Sequence, residues 1–329
     1  VLFFNFLNYF HELGYDAGAH KWYIEVLPLN LPTDQDTREF FSPPLPYIFP
    51  SLIDSVCDKL YELNYLNLDC TLLYGKVTQF FQIILFILTL FVFMKIADII
   101  EPENYIYKSS LIFLVGLLNV NYKTFAMIRG EPYVLFFMIL GIFYMARILY
   151  SEKEISYKNI FIIGIIFGLL ALSRQWGFLF FPATAIFYIL IFNKKNKQIS
   201  IQYFKSFVFI FFIAFLISGW FYLRLYFEYG SFTAFNKEKT LFSFYNQPLS
   251  FYFSSFEDLN LLFEKPIRPN FSNQLIPILY SDLWGDYWGY FVFTSRFTDI
   301  GRNQLLIGDY LARVNIFSLI PTLFLLVSF

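Results

Sequence analysis

Residues 159–193 form one apolar block, broken only by the stretch SRQWG around Arg174. A single helix over that block would run roughly 50 Å, well beyond the roughly 30 Å of bilayer hydrocarbon. A lone arginine left inside lipid is also costly. The block therefore reads as two spans, 159–173 and 176–193, joined by a tight turn at Arg174. Further runs lie at 78–97, 110–127, 133–150 and 206–224, so the chain is expected to cross a membrane repeatedly.

Composition supports this reading. The chain is 57% hydrophobic and 15% charged, with 47 Phe and 25 Tyr. Soluble domains are about 45–50% apolar and about 25% charged. A soluble core cannot absorb so much apolar surface, whereas a bilayer can. A net charge of -1 provides no electrostatic footprint for nucleic acid. The expected fold class is all-α: a multi-spanning integral membrane helical bundle with exoplasmic amphipathic helices and loops, one module over 1–329. The terminal runs VLFFNFL and IFSLIPTLFLLVSF are each shorter than a span. They are expected to be the tail of one transmembrane helix and most of another, in a fragment truncated at both ends.

The loop NKKNKQISIQYFK carries Lys194, Lys195, Lys197 and Lys205, and the positive-inside rule places it in the cytoplasm. Lys153 and Lys158 follow on the same side, with Arg147 at the edge. Counting spans then puts residues 9–77, the turn at 128–132, the turn at Arg174 and segment 225–313 on the exoplasmic face. The stretch PSLIDSVCDKLYELN has apolar residues at helical spacing and predicts an amphipathic helix lying on the membrane. Segment 225–313 is aromatic and broken by Pro248, Pro266, Pro269 and Pro277, which predicts short helices. Cys57 and Cys70 have no metal-ligand spacing. They form a disulfide if they face an oxidising compartment, or remain two buried thiols.

The outward turns gather polar residues that a bilayer tolerates only when paired or wetted. The first segment has Asp16, His20, Asp34, Asp36, Arg38 and Glu39; IRGEP has Arg129 and Glu131; SRQWG has Arg174 and Gln175; SDLWGDYWGY has Asp282 and Asp286. A carboxylate can deprotonate a hydroxyl acceptor. Guanidiniums bind phosphate and stabilise it as a leaving group. His20, four residues after Asp16, shares its face if the stretch is helical. Each group also has a plainer role: a solvated acid, an Arg129–Glu131 surface pair, an arginine reaching for headgroups, an aromatic interface anchor, a rigid turn at SPPLPY. No third ligand for a metal at Asp16 and His20 is evident.

Taken in order, these segments resemble the GT-C superfamily of membrane glycosyltransferases. Within it they look like the family-39-type enzymes related to protein O-mannosyltransferases and aminoarabinose transferases. The resemblance rests on YDAGAHKWYI, on SPPLPY where relatives have a His-Pro-Pro-Leu-Tyr-like run, and on RGEP, GLLALSRQWGFLFFP and GWFYLRLYFEYGSF. It implies a catalytic acid at Asp16, a second acid at Glu131, and a lipid-phosphate contact at Arg174. Arg129 is added on its chemistry as a second phosphate ligand, with His20 and Asp286 as supporting contacts to the acceptor. Ala17 stands where many relatives have Glu, and Ser42 where many have His.

The expected activity is inverting transfer of a sugar from a polyprenyl-phosphate donor to an acceptor hydroxyl of a lipid, protein or glycan. The exoplasmic face of a bacterial plasma membrane is its expected place. No cofactor is implied with certainty; metal dependence stays open, with a divalent metal not favoured. The alternatives are a lipid-linked sugar transporter or flippase, and a membrane scaffold subunit.

Overall fold

The computed structural model describes residues 2–8, 17–63, 65, 69–117, 121, 124–150, 156–192, 197–234, 248–253, 255–264, 275–284 and 311–328. Among them every regular element is a helix. Asp16 and Asp286 lie outside the described residues.

The short helices α1 (Leu2–Asn8) and α2 (Ala17–Val26) precede α3 (Leu45–Glu62). The proline run SPPLPY is a turn only over Ser42–Pro44. The helix starts at Leu45, because Pro46 falls in the first turn, where a missing N–H costs nothing. Helix α3 is amphipathic as its sequence predicts, burying Tyr47, Asp54 and Cys57 and exposing Leu52 and Val56. A disulfide joins Cys57 to Cys70, their Cα atoms 5.6 Å apart, and fastens α3 to the start of α4 (Cys70–Ile100). Asp69 caps α4, its Oδ1 accepting from the Thr71 and Leu72 amides at 2.9 and 3.3 Å.

Helix α5 (Tyr105–Leu117) follows, then α6 (Glu131–Tyr150) and α7 (Tyr157–Ser173). A 3₁₀ turn (Gln175–Leu179) leads into α8 (Phe180–Phe192) and α9 (Lys197–Tyr229). The break at Arg174 thus falls where the sequence puts it. The apolar run at 110–127 does not stay helical to its end: α5 covers Tyr105–Leu117, Asn121 and Thr124 are helical, and residues 125–128 are turns and bends. Polar Asn119, Asn121 and Lys123 interrupt that run, and the Asn121 amide turns back to donate to Val115 O at 2.8 Å.

Among the described residues three helices are long and apolar enough to cross a membrane: Cys70–Ile100 (31 residues), Glu131–Ile148 (18 residues) and Tyr203–Tyr229 (27 residues). Shorter apolar helices cover Tyr105–Gly116, Tyr157–Ser173 and Leu311–Phe324. Helix α4 is inverted relative to a soluble helix. Phe80, Ile84, Ile87 and Phe91 are exposed, while Thr78, Gln79, Gln82 and Thr89 are fully buried. Such an arrangement suits lipid outside and protein inside.

By contacts the chain divides into two compact units, one of residues 1–113 and 124–237, the other of 114–123 and 238–329. In the first, α7 packs on α9 at Gly164 and Gly168. A Cβ at either position would come within 2.7 Å of the Cβ of Ile213 or Ile217. The spacing is the small-xxx-small pattern that lets membrane helices approach closely. Around it Ile163, Phe167, Ile210 and Ala214 are fully buried. The second unit holds α10 (Leu249–Tyr252), α11 (Phe256–Glu264), α12 (Leu275–Trp284) and α13 (Leu319–Ser328). Of these, α10, α11 and α12 match the short helices expected for the proline-broken segment. Buried Asn315 ties them together, its amide donating to Leu262 O (3.0 Å) and Ser281 Oγ (3.1 Å).

Candidate functional site

Helix α7 ends at Ser173, and Arg174 leaves it in extended backbone conformation (φ -159°, ψ 153°). Its guanidinium is thereby aimed back across the start of α6. Arg174 Nε and Nη2 donate to Glu131 Oε1 at 3.2 and 3.0 Å. Nη1 donates to Glu39 Oε2 at 3.2 Å and to Ser42 Oγ at 2.9 Å. The Ser42 hydroxyl in turn donates to Glu39 Oε2 at 2.5 Å. The Arg174 and Glu39 side chains keep only 14% and 10% exposure, so this is a desolvated ion pair rather than a surface one. Burial opposes the Arg174 charge, but Glu131, Tyr47 and Glu39 outweigh it and hold the group firmly cationic.

Gly130 makes the approach possible. A Cβ there would lie 2.3 Å from Ser173 O and 2.5 Å from Arg174 Cγ. Glu131 opens α6, where the helix dipole favours a carboxylate. Its side chain is 35% exposed as a whole, yet Oε2 itself is buried with no hydrogen-bond partner among the described residues.

A layer of aromatic residues lies against this cluster. Tyr23 stacks on Tyr47 with ring centroids 4.0 Å apart, and the Tyr23 hydroxyl donates to Ser42 O at 2.9 Å. Tyr47 Oη and His20 Nδ1 share a hydrogen bond of 2.8 Å. Thr37 holds the preceding loop to α2 by donating to Ala19 O at 2.8 Å. Burial raises the pKa of both tyrosines above the ordinary phenol value. His20 is pushed well below the usual imidazole range by burial first, then by the Arg174 and Arg129 charges.

Two cavities meet beside Arg174. One, of about 470 Å³, is lined by Ser42, Arg174, Gln175, Trp176, Phe178 and Thr233. The other, of about 490 Å³, is almost wholly apolar and runs along Phe178, Pro182, Phe211, Phe215, Tyr222 and Thr233. Phe178 and Thr233 line both, and the polar side chains of Ser42, Arg174 and Gln175 belong to the first. Gln175 fixes the junction by donating to Phe41 O (2.8 Å) and Thr233 O (2.5 Å).

Of the residues singled out in the sequence, Arg174 and Glu131 are in direct contact. Arg129 is half-buried and acts electrostatically on both Glu131 and His20. His20 reaches the cluster through Tyr47. Sequence reasoning gave no role in the site to Ser42 and did not join Glu39 to Arg174. Ser42 looked like part of a rigid turn, and Glu39 like one of several charges in a solvated loop. Neither carries a local pattern that reveals a contact more than 130 residues away, since the two contacts span 132 and 135 residues.

The described fold is thus helical, with three helices able to cross a membrane and a buried ion-paired cluster at the ends of α6 and α7. No protein-family model matches the chain, and no curated protein or solved structure matches it.

Proposed function

We propose that this protein is an integral membrane glycosyltransferase that uses a polyprenyl-phosphate sugar. One observation carries the reading: a cavity that has Arg174, Ser42 and Gln175 in a largely apolar lining shares Phe178 and Thr233 with an apolar groove along α8 and α9. A lipid phosphate needs both environments side by side. The groove suits the prenyl chain, which gains about 0.8 kcal/mol for each buried methylene. The cavity supplies a guanidinium donor to the phosphate.

Arg174 spends most of its five N–H donors on Glu131, Glu39 and Ser42. The phosphate therefore binds through the remaining Arg174 donor and the neighbouring Arg129 charge, and the carboxylates hold both arginines in place. In the reaction an acceptor oxygen attacks the anomeric carbon and the bond to phosphate breaks with inversion. Its proton goes to a base, for which Asp16 is the proposed residue. Glu131 orients the acceptor, and its buried, unpartnered Oε2 supports that role, because a hydroxyl donor there would satisfy it.

The site is proposed to face the exoplasm of a bacterial plasma membrane. The disulfide between Cys57 and Cys70 supports an oxidising side for the α3–α4 connection. The resemblance to GT-C enzymes supports the same orientation.

The deciding experiment is reconstitution with a panel of polyprenyl-phosphate sugars. Transfer should be abolished in Asp16→Asn that folds normally; full turnover in that variant would refute the assignment of Asp16. A second reading, transport of a lipid-linked sugar, is favoured by α4. Thr78 Oγ1 and both amide atoms of Gln82 are buried within that helix without partners among the described residues. Polar groups at such depth mark substrate paths in transporters. Movement of labelled lipid-linked sugar across vesicles without any transfer would favour it.

A further inference from the structure

The apolar groove near Arg174 has one wall on α9, with Phe211, Phe215, Gly219 and Tyr222, and faces Phe178 and Phe181 across from it. Its polar side chains are already engaged. The Ser218 hydroxyl donates to Ala214 O at 2.8 Å and the Tyr222 hydroxyl to Ala171 O at 2.6 Å, while the Thr233 and Ser231 hydroxyls share a hydrogen bond of 3.4 Å. A ligand rich in hydroxyl groups would give up its bonds to water there and regain few. The groove is a site for hydrocarbon. Its volume of about 490 Å³ is that of a small-ligand cleft, which spans roughly 300–1,000 Å³.

The width of the groove depends on Gly219. A Cβ at that position would lie 2.7 Å from Phe215 Cε2 and 2.8 Å from Phe215 Cδ2, one turn earlier on the same helix. The Phe215 ring thus occupies the space where a side chain at 219 would stand. A methyl group there would lift the ring off α9 and into the groove that both residues line. The opposite wall has little room to yield, because the Phe181 ring packs edge-on against Phe167 at 5.6 Å and Phe211 at 5.5 Å.

We infer that Gly219 and Phe215 are specificity-determining residues, which keep the groove wide enough for a methyl-branched prenyl chain and so select it over a straight acyl chain. The inference rests on the lipid-phosphate donor proposed above. Phe178 and Thr233 line both the groove and the cavity that holds Arg174, so a chain lying in the groove brings an anionic head towards a guanidinium. Prenyl phosphates and anionic phospholipids both have such a head, and the chain is what separates them. Each isoprene unit carries a methyl branch and a flat double bond, which fill a wide cleft walled by aromatic rings. A straight chain leaves a gap beside Gly219 and forfeits those contacts.

The test is a binding measurement on the full chain in phosphatidylcholine nanodiscs, with farnesyl phosphate and dodecyl phosphate as probes. The two share main-chain length and head group, and differ in the methyl branches and double bonds. Wild type should bind farnesyl phosphate about tenfold more tightly, the usual effect of filling or losing one methyl-sized space in an apolar pocket. Gly219→Ala should erase that preference by weakening farnesyl phosphate alone. Adding Phe215→Leu to Gly219→Ala should restore it, because the smaller side chain clears the new methyl. The clash falls on the free end of a side chain and not on backbone, so α9 keeps its place in both variants. Equal affinities in wild type would make straight chains the occupant and overturn the inference, whatever the variants do. A preference that survives Gly219→Ala, or that Phe215→Leu fails to restore, would overturn it as well. Failure of wild type to bind either phosphate would refute the lipid-phosphate donor itself, and this inference with it.

Discussion

Arg174 grips Glu131 through two N–H groups, at 3.0 and 3.2 Å, across 43 residues of chain. The pair joins the end of α7 to the start of α6. Glu39 joins the same guanidinium from a third segment, so one side chain ties three parts of the chain together.

Removing Arg174 leaves Glu39 and Glu131 as buried, unpaired carboxylates. Arg174→Ala should therefore lose about 3–5 kcal/mol of stability, the usual result of breaking a buried ion pair on one side. Arg174→Lys should recover part of it, because the charge returns without the fork geometry. Thermal unfolding in detergent measures both, and equal midpoints for wild type and Arg174→Ala would contradict the buried pairing.

Gly130→Ala places a methyl group 2.3 Å from Ser173 O. The turn must move, and with it Glu131 and Arg174. A loss of about 1–3 kcal/mol is expected from such overpacking. A double-mutant cycle with Glu131→Gln should be non-additive, since both changes act on one contact.

Acid should weaken the fold through His20. Its pKa in the folded protein lies below the ordinary 6.5, so the unfolded chain takes up the proton first as pH falls. That stability is complete above about pH 6.5 and is lost progressively below it. The unfolding midpoint of His20→Gln should be less sensitive to acidification between about pH 7 and about pH 5 than that of wild type.

The disulfide closes a short loop, with Cys57 and Cys70 separated by 13 positions. Loop closure of that size is worth about 3 kcal/mol. Reduction, or Cys57→Ser, should lower the unfolding midpoint and increase protease cleavage between α3 and α4. Mass spectrometry after alkylation should find both thiols blocked until a reductant is added.

Gly168→Leu should separate α7 from α9, since even a Cβ meets Ile217 there at 2.7 Å. A cross-link between cysteines placed on the two helices should form in wild type and fail in the variant.

The sequence by itself determined the helical class, the presence of helices long and apolar enough to cross a membrane, and the break at Arg174. Those follow from local rules: apolar runs of spanning length, proline and glycine placement, and the cost of a charge in hydrocarbon. It also placed the amphipathic helix that became α3, missing only its start at Leu45. The tertiary structure alone decided what the charges do. Glu39 and Ser42 meet Arg174 only because the loop before α3 folds over the ends of α6 and α7. Pairing of Cys57 with Cys70 likewise needed the approach of two helices. His20 was noticed as a neighbour of Asp16 in the chain, but its hydrogen bond to Tyr47 depends on how α2 packs against α3. Periodicity records which face of a helix is buried; it does not record which buried polar groups find one another, because those partners come from distant segments.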